Sequence, residues 1–401
     1  MKVIKLIENW LLEFVKALGK FFLNPLFYWF ILLGIISGRR RIRKERYNFG
    51  FKIFDLFSEF KNTWLFSMII GLVMSLISLG VGFVFSYEIV LLLSIVIIIL
   101  SIHFKFSLLS ASYTIGLTYI FLLLGPIVPE QYTSRFSDLF HESHLVSLAI
   151  FLGIFLIIEA LLILRVKRND TFPSLARSQR GAWIGTHHLK KLAMIPFLVL
   201  IPTGTIEPFA DFWPYISYGG ETYSLLIVPF LIGFDYPVRG RIAYQAAKQL
   251  AKAVSWLGVI ILAIAIGSIF VPWLSIVAVV LAMIGKEYLH YKFRTSDQAK
   301  QPFFNQMDQG LKVLAVIPGT PADRLGILVG ETIYRVNGQH ISTVNDFYEA
   351  LQQSGAYFRL EVLDDRDEIR FVQSAFYDND HHELGIVFTE QPYRYIQTET
   401  S

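Results

Sequence analysis

The chain has 401 residues, of which 54% are apolar and 17% charged. Soluble domains carry about 45–50% apolar and ~25% charged residues, so the composition points to a membrane protein with a soluble part and excludes disordered, collagen-like and disulfide-scaffold chains. The absence of cysteine rules out thiol chemistry and thiolate metal sites, and a net charge of +4 gives no argument for nucleic acid.

In chain order, residues 2–18 interleave Lys2, Lys5, Glu8, Glu13 and Lys16 with Ile4, Leu6, Ile7, Leu11, Leu12, Phe14 and Val15. This pattern predicts an amphipathic helix lying in a membrane surface. Residues 21–36 are apolar but short, and fit a span, a re-entrant segment or an aromatic interfacial helix. No small-residue cleavage pattern follows them, which argues against a secretory signal. Apolar runs long enough to span a bilayer follow at 63–85, 107–128, 144–164, 192–211 and 222–237. The shorter run 88–101 is apolar on every face. Residues 254–285 are too many for one ordinary span, and Pro272 near the middle divides them into 254–270 and 272–286. The expectation is eight transmembrane helices.

Lys and Arg fix an orientation. With alternating spans, 23 of them fall in the connections on one side, and only Arg135 on the other. The basic side is expected to be cytoplasmic. Arg39, Arg40, Arg41, Arg43, Lys44 and Arg46 form a membrane-surface basic cluster directly after the first apolar run. Each basic residue there adds about 1 kcal/mol of attraction to an anionic leaflet. Ordinary topology signalling explains the same cluster.

From about residue 287 acids, amides and turn residues return. LKVLAVI at 311–317 reads as a strand, and Thr320, Pro321 and Gly326 bracket a short helix. ETIYRVNG closes a strand in an Asn337-Gly338 turn, and Thr343 with Asp346 opens a helix over VNDFYEALQQ. Strands at 357–363, 368–374 and 384–388 complete the set. This order, with Val316, Pro318, Gly319, Pro321, Ala322, Gly326, Gly330, Ile333, Val336, Asn337 and Gly338, resembles a bacterial PDZ domain. The resulting fold class is a polytopic α-helical membrane domain followed by a small α+β PDZ-like cytosolic domain. The expected divisions are 1–37 (interfacial helix and candidate first span), 38–286 (membrane domain), 287–305 (linker), 306–390 (PDZ domain) and 391–401 (tail).

The resemblance implies peptide capture by strand addition, with a terminal carboxylate received at a Φ-G-Φ loop. Leu384-Gly385-Ile386 is the matching triplet, placed last as in the circularly permuted bacterial domains. Alternation puts Leu384, Ile386 and Phe388 on one face, and Phe347 and Leu351, four apart on a helix, form the opposing wall. All five also suit an ordinary core. Glu383 stands where many PDZ domains have a second glycine and would repel a ligand carboxylate, which leaves an internal peptide segment as an alternative.

A zinc protease needs HExxH, which the chain lacks; His141-Glu142-Ser143-His144 is one residue short, and His290 after Glu287 has no partner histidine. His103 and the His187-His188 pair lie in basic connections and suggest no serine-protease base. Glu159, inside an apolar run, suits a proton relay, a pair with a neighbouring helix, or snorkelling. Glu207, Asp211 and Asp235 fall near run ends. No catalytic residue, metal or cofactor is expected.

Over nearly its whole length the chain resembles the MinJ family of division-site proteins from Gram-positive rods. The likeness includes FFLNPLFYWFILL, RRRIRKER, DLFSEF, GLKVLAVIPGTPAD and HELGIVF. The resemblance implies an adaptor, not an enzyme, that links a DivIVA-like polar scaffold to MinD. MinD with MinC then keeps FtsZ from assembling at poles and used septa. Implied partners also include other divisome membrane proteins and the lipid bilayer, with enrichment at septa and poles. The alternative is a membrane-anchored PDZ regulator of a protease or secretion machine.

Overall fold

The computed structural model describes residues 2–125, 141–178, 180–210, 212–216, 221–305, 310–353, 357–375 and 384–393. Helices α1 (Lys2–Leu23), α2 (Pro25–Phe49), α3 (Trp64–Val81), α4 (Tyr87–Ser101), α5 (Ala111–Leu124) and α6 (Glu142–Leu164) precede three strands. These are β1 (Phe172–Arg177), β2 (Trp183–Ile206) and β3 (Tyr223–Val238), followed by α7 (Ala243–Gly267) and α8 (Leu274–Gln298). Pro272 lies in the turn between α7 and α8, as the sequence predicts. By length and composition, α3, α6, α7 and α8 suffice to cross a membrane, and the bent α1–α2 pair makes a fifth; α4 and α5 are shorter apolar helices.

Two expected helices are strands. The runs 192–211 and 222–237 fall largely in β2 and β3, one long antiparallel hairpin buried among the helices. A sheet edge inside an apolar shell leaves amides unpaired unless something receives them. The chain meets this requirement in two ways. Leu198 N donates to Ser75 Oγ on α3 at 2.9 Å, and Leu200 N to Phe83 O at 3.2 Å. Pro196, Pro202, Pro229 and Pro237 fall in the same alternate class of cross-strand pair, so the outward position of each carries no N–H at all. Helix α3 lies against β2, with Gly71 beside Pro196 and Ser75 on Leu198. A Cβ on Gly71 would sit 2.2 Å from the Pro196 carbonyl oxygen, so only glycine permits this approach.

The N-terminal helix packs beside the hairpin. Asn9 Nδ2 donates to Thr205 O and Thr205 Oγ1 to Glu13, both at 3.1 Å, beside the hairpin tip. Farther on, Trp29 Nε1 donates to Ser101 Oγ at the end of α4. The sidedness of α1 is inverted relative to a soluble helix: Glu13, Ala17 and Phe21 are buried, while Leu11, Leu12, Phe14, Val15 and Leu18 are exposed. That arrangement suits lipid around the bundle. Helix α2 then carries the basic cluster as helix, not loop, through to Gly50, which caps it at φ +83°. Helix α8 likewise runs on through most of the expected linker, to Gln298. Its Asp297 accepts from the amides of Arg239 and Gly240 at 2.8 and 3.2 Å, which ties it to the start of α7.

The C-terminal domain comprises β4 (Leu311–Lys312), β5 (Ala315–Val316), α9 (Pro321–Arg324), β6 (Thr332–Val336), β7 (Gln339–His340), α10 (Val344–Gln353), β8 (Tyr357–Leu363), β9 (Ile369–Ala375) and β10 (Ile386–Val387). One sheet has the order β4-β6-β8-β9 with β7 on β6, and β10 pairs with β5. The capping box holds as predicted: Asp346 N donates to Thr343 Oγ1 and Thr343 N to the Asp346 carboxylate.

Candidate peptide-binding groove

Strand β10 pairs antiparallel with β5, Ile386 opposite Val316. Ile317 N donates to Gly385 O at 2.9 Å and Leu314 N to Val387 O at 2.8 Å. The backbone of residues 385 and 387 therefore faces β5, and that of Ile386 faces the other edge, toward α10. This is the edge a ligand strand would join. Phe347 of α10 meets Phe388 ring to edge at 5.1 Å. Leu384, Ile386, Phe388, Phe347 and Leu351 all belong to one apolar cluster and are each no more than 5% exposed. The structure thus brings the expected groove residues together, as the floor and wall of the domain core.

Gly385 has φ +81°, and a Cβ there would lie 2.3 Å from Thr320 Oγ1. Glycine is required because the strand passes tightly over the cap of α9. Glu383 lies outside the described residues.

This side of the domain faces the membrane-associated part. A cavity of about 120 Å³ is bounded by Val344 and Tyr348 of α10, Ile386 and Phe388 of the strand region, and Phe49 and Phe51 at the end of α2. Docking of the two parts is extensive. Phe172, Ile53 and Phe54 pack with Ala315 and Val387, and Leu175 and Phe304 with Leu314 and Val329. Arg168 forms a forked pair with Asp365 at 2.8 and 2.5 Å. Asn169 exchanges hydrogen bonds with Ile327 O and Val329 N at 2.9 and 3.0 Å. A Cβ on Gly185 would lie 2.5 Å from Leu314. Sequence reasoning did not find these docking residues. The only signal was a polar Arg168-Asn169-Asp170 triplet immediately after a span.

Several remaining candidates have partners inside the fold. The His141 ring caps α6 by accepting from Ser143 N at 3.3 Å, and buried His144 stacks on Phe85. His290 lies 5.2 Å from the Tyr236 ring. Glu159 is paired with Lys286. Glu207 is exposed, and Asp211 lies outside the described residues. Among the described residues, no group of three or more His, Asp or Glu is placed to hold a metal ion. Within the basic cluster, Arg41 is enclosed by Glu45 and Glu59 at 2.6 and 3.1 Å, so its charge is already answered inside the protein. Arg39, Arg40, Arg43, Lys44 and Arg46 are exposed.

Comparison with known proteins agrees with this architecture. Residues 312–363 match the PDZ domain family. That match ends before β10. The chain is 33% identical over 385 residues to the cell division topological determinant MinJ of Bacillus subtilis (strain 168), covering 95% of this chain and 96% of that one. It is 24% identical over 263 residues to the probable cell division topological determinant MinJ of Lacticaseibacillus paracasei, covering 64% of this chain and 69% of that one. With a PDZ domain closing a helical region of several apolar candidate spans, and with end-to-end similarity to the Bacillus protein, the chain belongs to the MinJ family of cell division topological determinants.

Proposed function

We propose that this protein is a membrane-embedded adaptor of the Min division-site system. In this reading it holds MinD near a DivIVA-like scaffold, so that MinC with MinD blocks FtsZ assembly at poles and used septa. The helices and the buried hairpin cross the membrane, and the basic face and the PDZ domain lie in the cytoplasm. The observation that carries the reading is the docking of a peptide-binding fold onto the membrane part with the Ile386 edge turned to the inter-domain cavity. Such a module confined to a surface raises the effective concentration of partners on the same surface. Leu384, Gly385, Ile386, Phe388, Phe347 and Leu351 form its ligand groove. No chemistry is assigned to it, in keeping with the interaction role of the domain and with the name of its relatives.

The test is localisation of a fluorescent C-terminal fusion in dividing rods, with and without the scaffold. Septal and polar signal that disappears with the scaffold supports the adaptor. Uniform membrane signal in both strains would instead favour a PDZ regulator of a protease or secretion machine.

A further inference from the structure

A second cavity, of about 220 Å³, opens at the basic end of the bundle, away from the peptide groove. Its walls come from four parts of the fold: α2, the turn after α4, the start of β1, and the base of the hairpin. One face of α2 supplies Ser37, Arg40, Arg41, Lys44 and Glu45, at steps of three, four, seven and eight residues. The turn supplies His103 and Phe104, and the hairpin supplies His188, Lys190 and Asp235.

The charges in this cavity do not balance. Arg41 is spoken for by Glu45 and Glu59. Asp235 is shared between His188 at 3.0 Å and Lys190 at 3.9 Å. Arg40 lies over the Phe104 ring at 4.1 Å, and neither it nor Lys44 has a carboxylate within ion-pair distance among the described residues. Arg40, Lys44 and Lys190 thus set three positive charges against the one carboxylate of Asp235. Partial burial depresses the Lys44 pKa, Asp235 acts against this, and Lys190 adds to it. A cation held there without a partner gains from an anion. Phe104 and Phe172 supply apolar walls beside it.

We propose that this cavity binds the phosphate of an anionic lipid headgroup, with Arg40 and Lys44 reaching it from α2 and Lys190 from the hairpin. The place suits a lipid: Arg40 lies four residues past the end of the apolar run 21–36, where headgroups meet the protein. Bound there, a lipid would join α2 to the hairpin base on which the PDZ domain is docked.

The test uses the full-length protein in neutral detergent, titrated with phosphatidylglycerol and followed by native mass spectrometry. The paired variant Arg40→Gln/Lys44→Gln is compared with Arg39→Gln/Arg43→Gln, which removes equal charge from other faces of the same helix. The expected result is a loss on the order of tenfold in lipid affinity for the first pair and little change for the second. Lys190→Gln, from a different element, should also weaken binding, and a thermal melt of each variant checks folding. Equal losses for both pairs would mean a diffuse charged surface and overturn the site. Inorganic phosphate competing as well as the lipid would overturn the lipid as its source. Retained division-site localisation in the Arg40/Lys44 variant leaves the lipid result standing, because the peptide groove is separate.

Discussion

Lys286 of α8 donates to Glu159 of α6 in the interior of the bundle, and Ser110 Oγ donates to the other oxygen of the same carboxylate at 2.5 Å. Both charged side chains are at most 2% exposed. A carboxylate held by an ammonium and a hydroxyl joins α6 to α8 and to the start of α5. Removing one partner leaves the other charge buried and alone, at a cost of about 3–5 kcal/mol, whereas replacing both with apolar residues is often neutral. Glu159→Gln and Lys286→Met should each strongly lower the melting temperature in detergent, and Glu159→Leu/Lys286→Met should recover most of it. A double variant no better than the singles would count against the pair.

Ser75 accepts an outward amide of a strand that lies among helices. Ser75→Ala leaves the Leu198 N–H without a partner, an effect of roughly 1–3 kcal/mol. The amide of Leu198 should then exchange with deuterium faster than its neighbours in β2, as read by mass spectrometry. Gly71→Leu should be worse, because its side chain would meet the Pro196 carbonyl, for which the structure leaves no room.

Asn169 grips the C-terminal domain by both ends of its amide. Asn169→Ala removes two hydrogen bonds, each worth about 1 kcal/mol, and leaves Val329 N–H and Ile327 O to find new partners. Deuterium uptake over residues 327–331 should rise while uptake in α6 stays constant. Uptake unchanged at both places would show that the apolar clusters alone hold the interface.

Gly385→Val should unfold the local structure around Thr320 as well as disturb the groove, given its positive φ and the close cap. It is therefore a poor probe of binding alone. Tyr348→Ala, at the open side of α10, should weaken peptide binding while the domain keeps its melting temperature. Normal binding by that variant would remove the groove assignment.

His187, at the base of the hairpin beyond the apolar run, touches Phe304 and shares a 2.8 Å hydrogen bond with Thr171. Burial, with His188 beside it, pushes its pKa from 6.5 down to about 3. The folded state therefore holds fewer protons than the unfolded state between these values. The stability contribution is complete above the unfolded pKa and is lost as pH falls below it, by about 2 kcal/mol at pH 5. Melting temperature should fall from pH 7.5 to 5, and His187→Gln should flatten that decline.

Much of the C-terminal domain was legible because its signals are local. A capping box, an Asn-Gly turn and period-2 alternation depend on residues a few positions apart. The hairpin was misread because a fully buried strand and a buried helix share the same unbroken apolar run. A signal was nevertheless present. Pro196, Pro202, Pro229 and Pro237 lie in or at the ends of the two runs, where each would interrupt a helix and where each fits the outer edge of a strand. Which face of α1 is buried was not legible for another reason. Period gives the two faces of a helix but not which one turns inward, and lipid around a bundle reverses the usual answer.

By itself, the sequence determined the division into an apolar region and a small α+β domain, the uneven spacing of basic residues along the apolar region, the order of the domain's elements and the family resemblance. These follow from composition and short-range pattern. Only the tertiary structure decided that Glu159 is answered by Lys286, that Arg41 is neutralised while Arg40 and Lys44 are not, and that Ile386 and Phe388 face the end of α2. Apart from the Arg41–Glu45 pair within α2, these join residues remote in the chain, and the chain distances that separate them carry no record of which charge meets which.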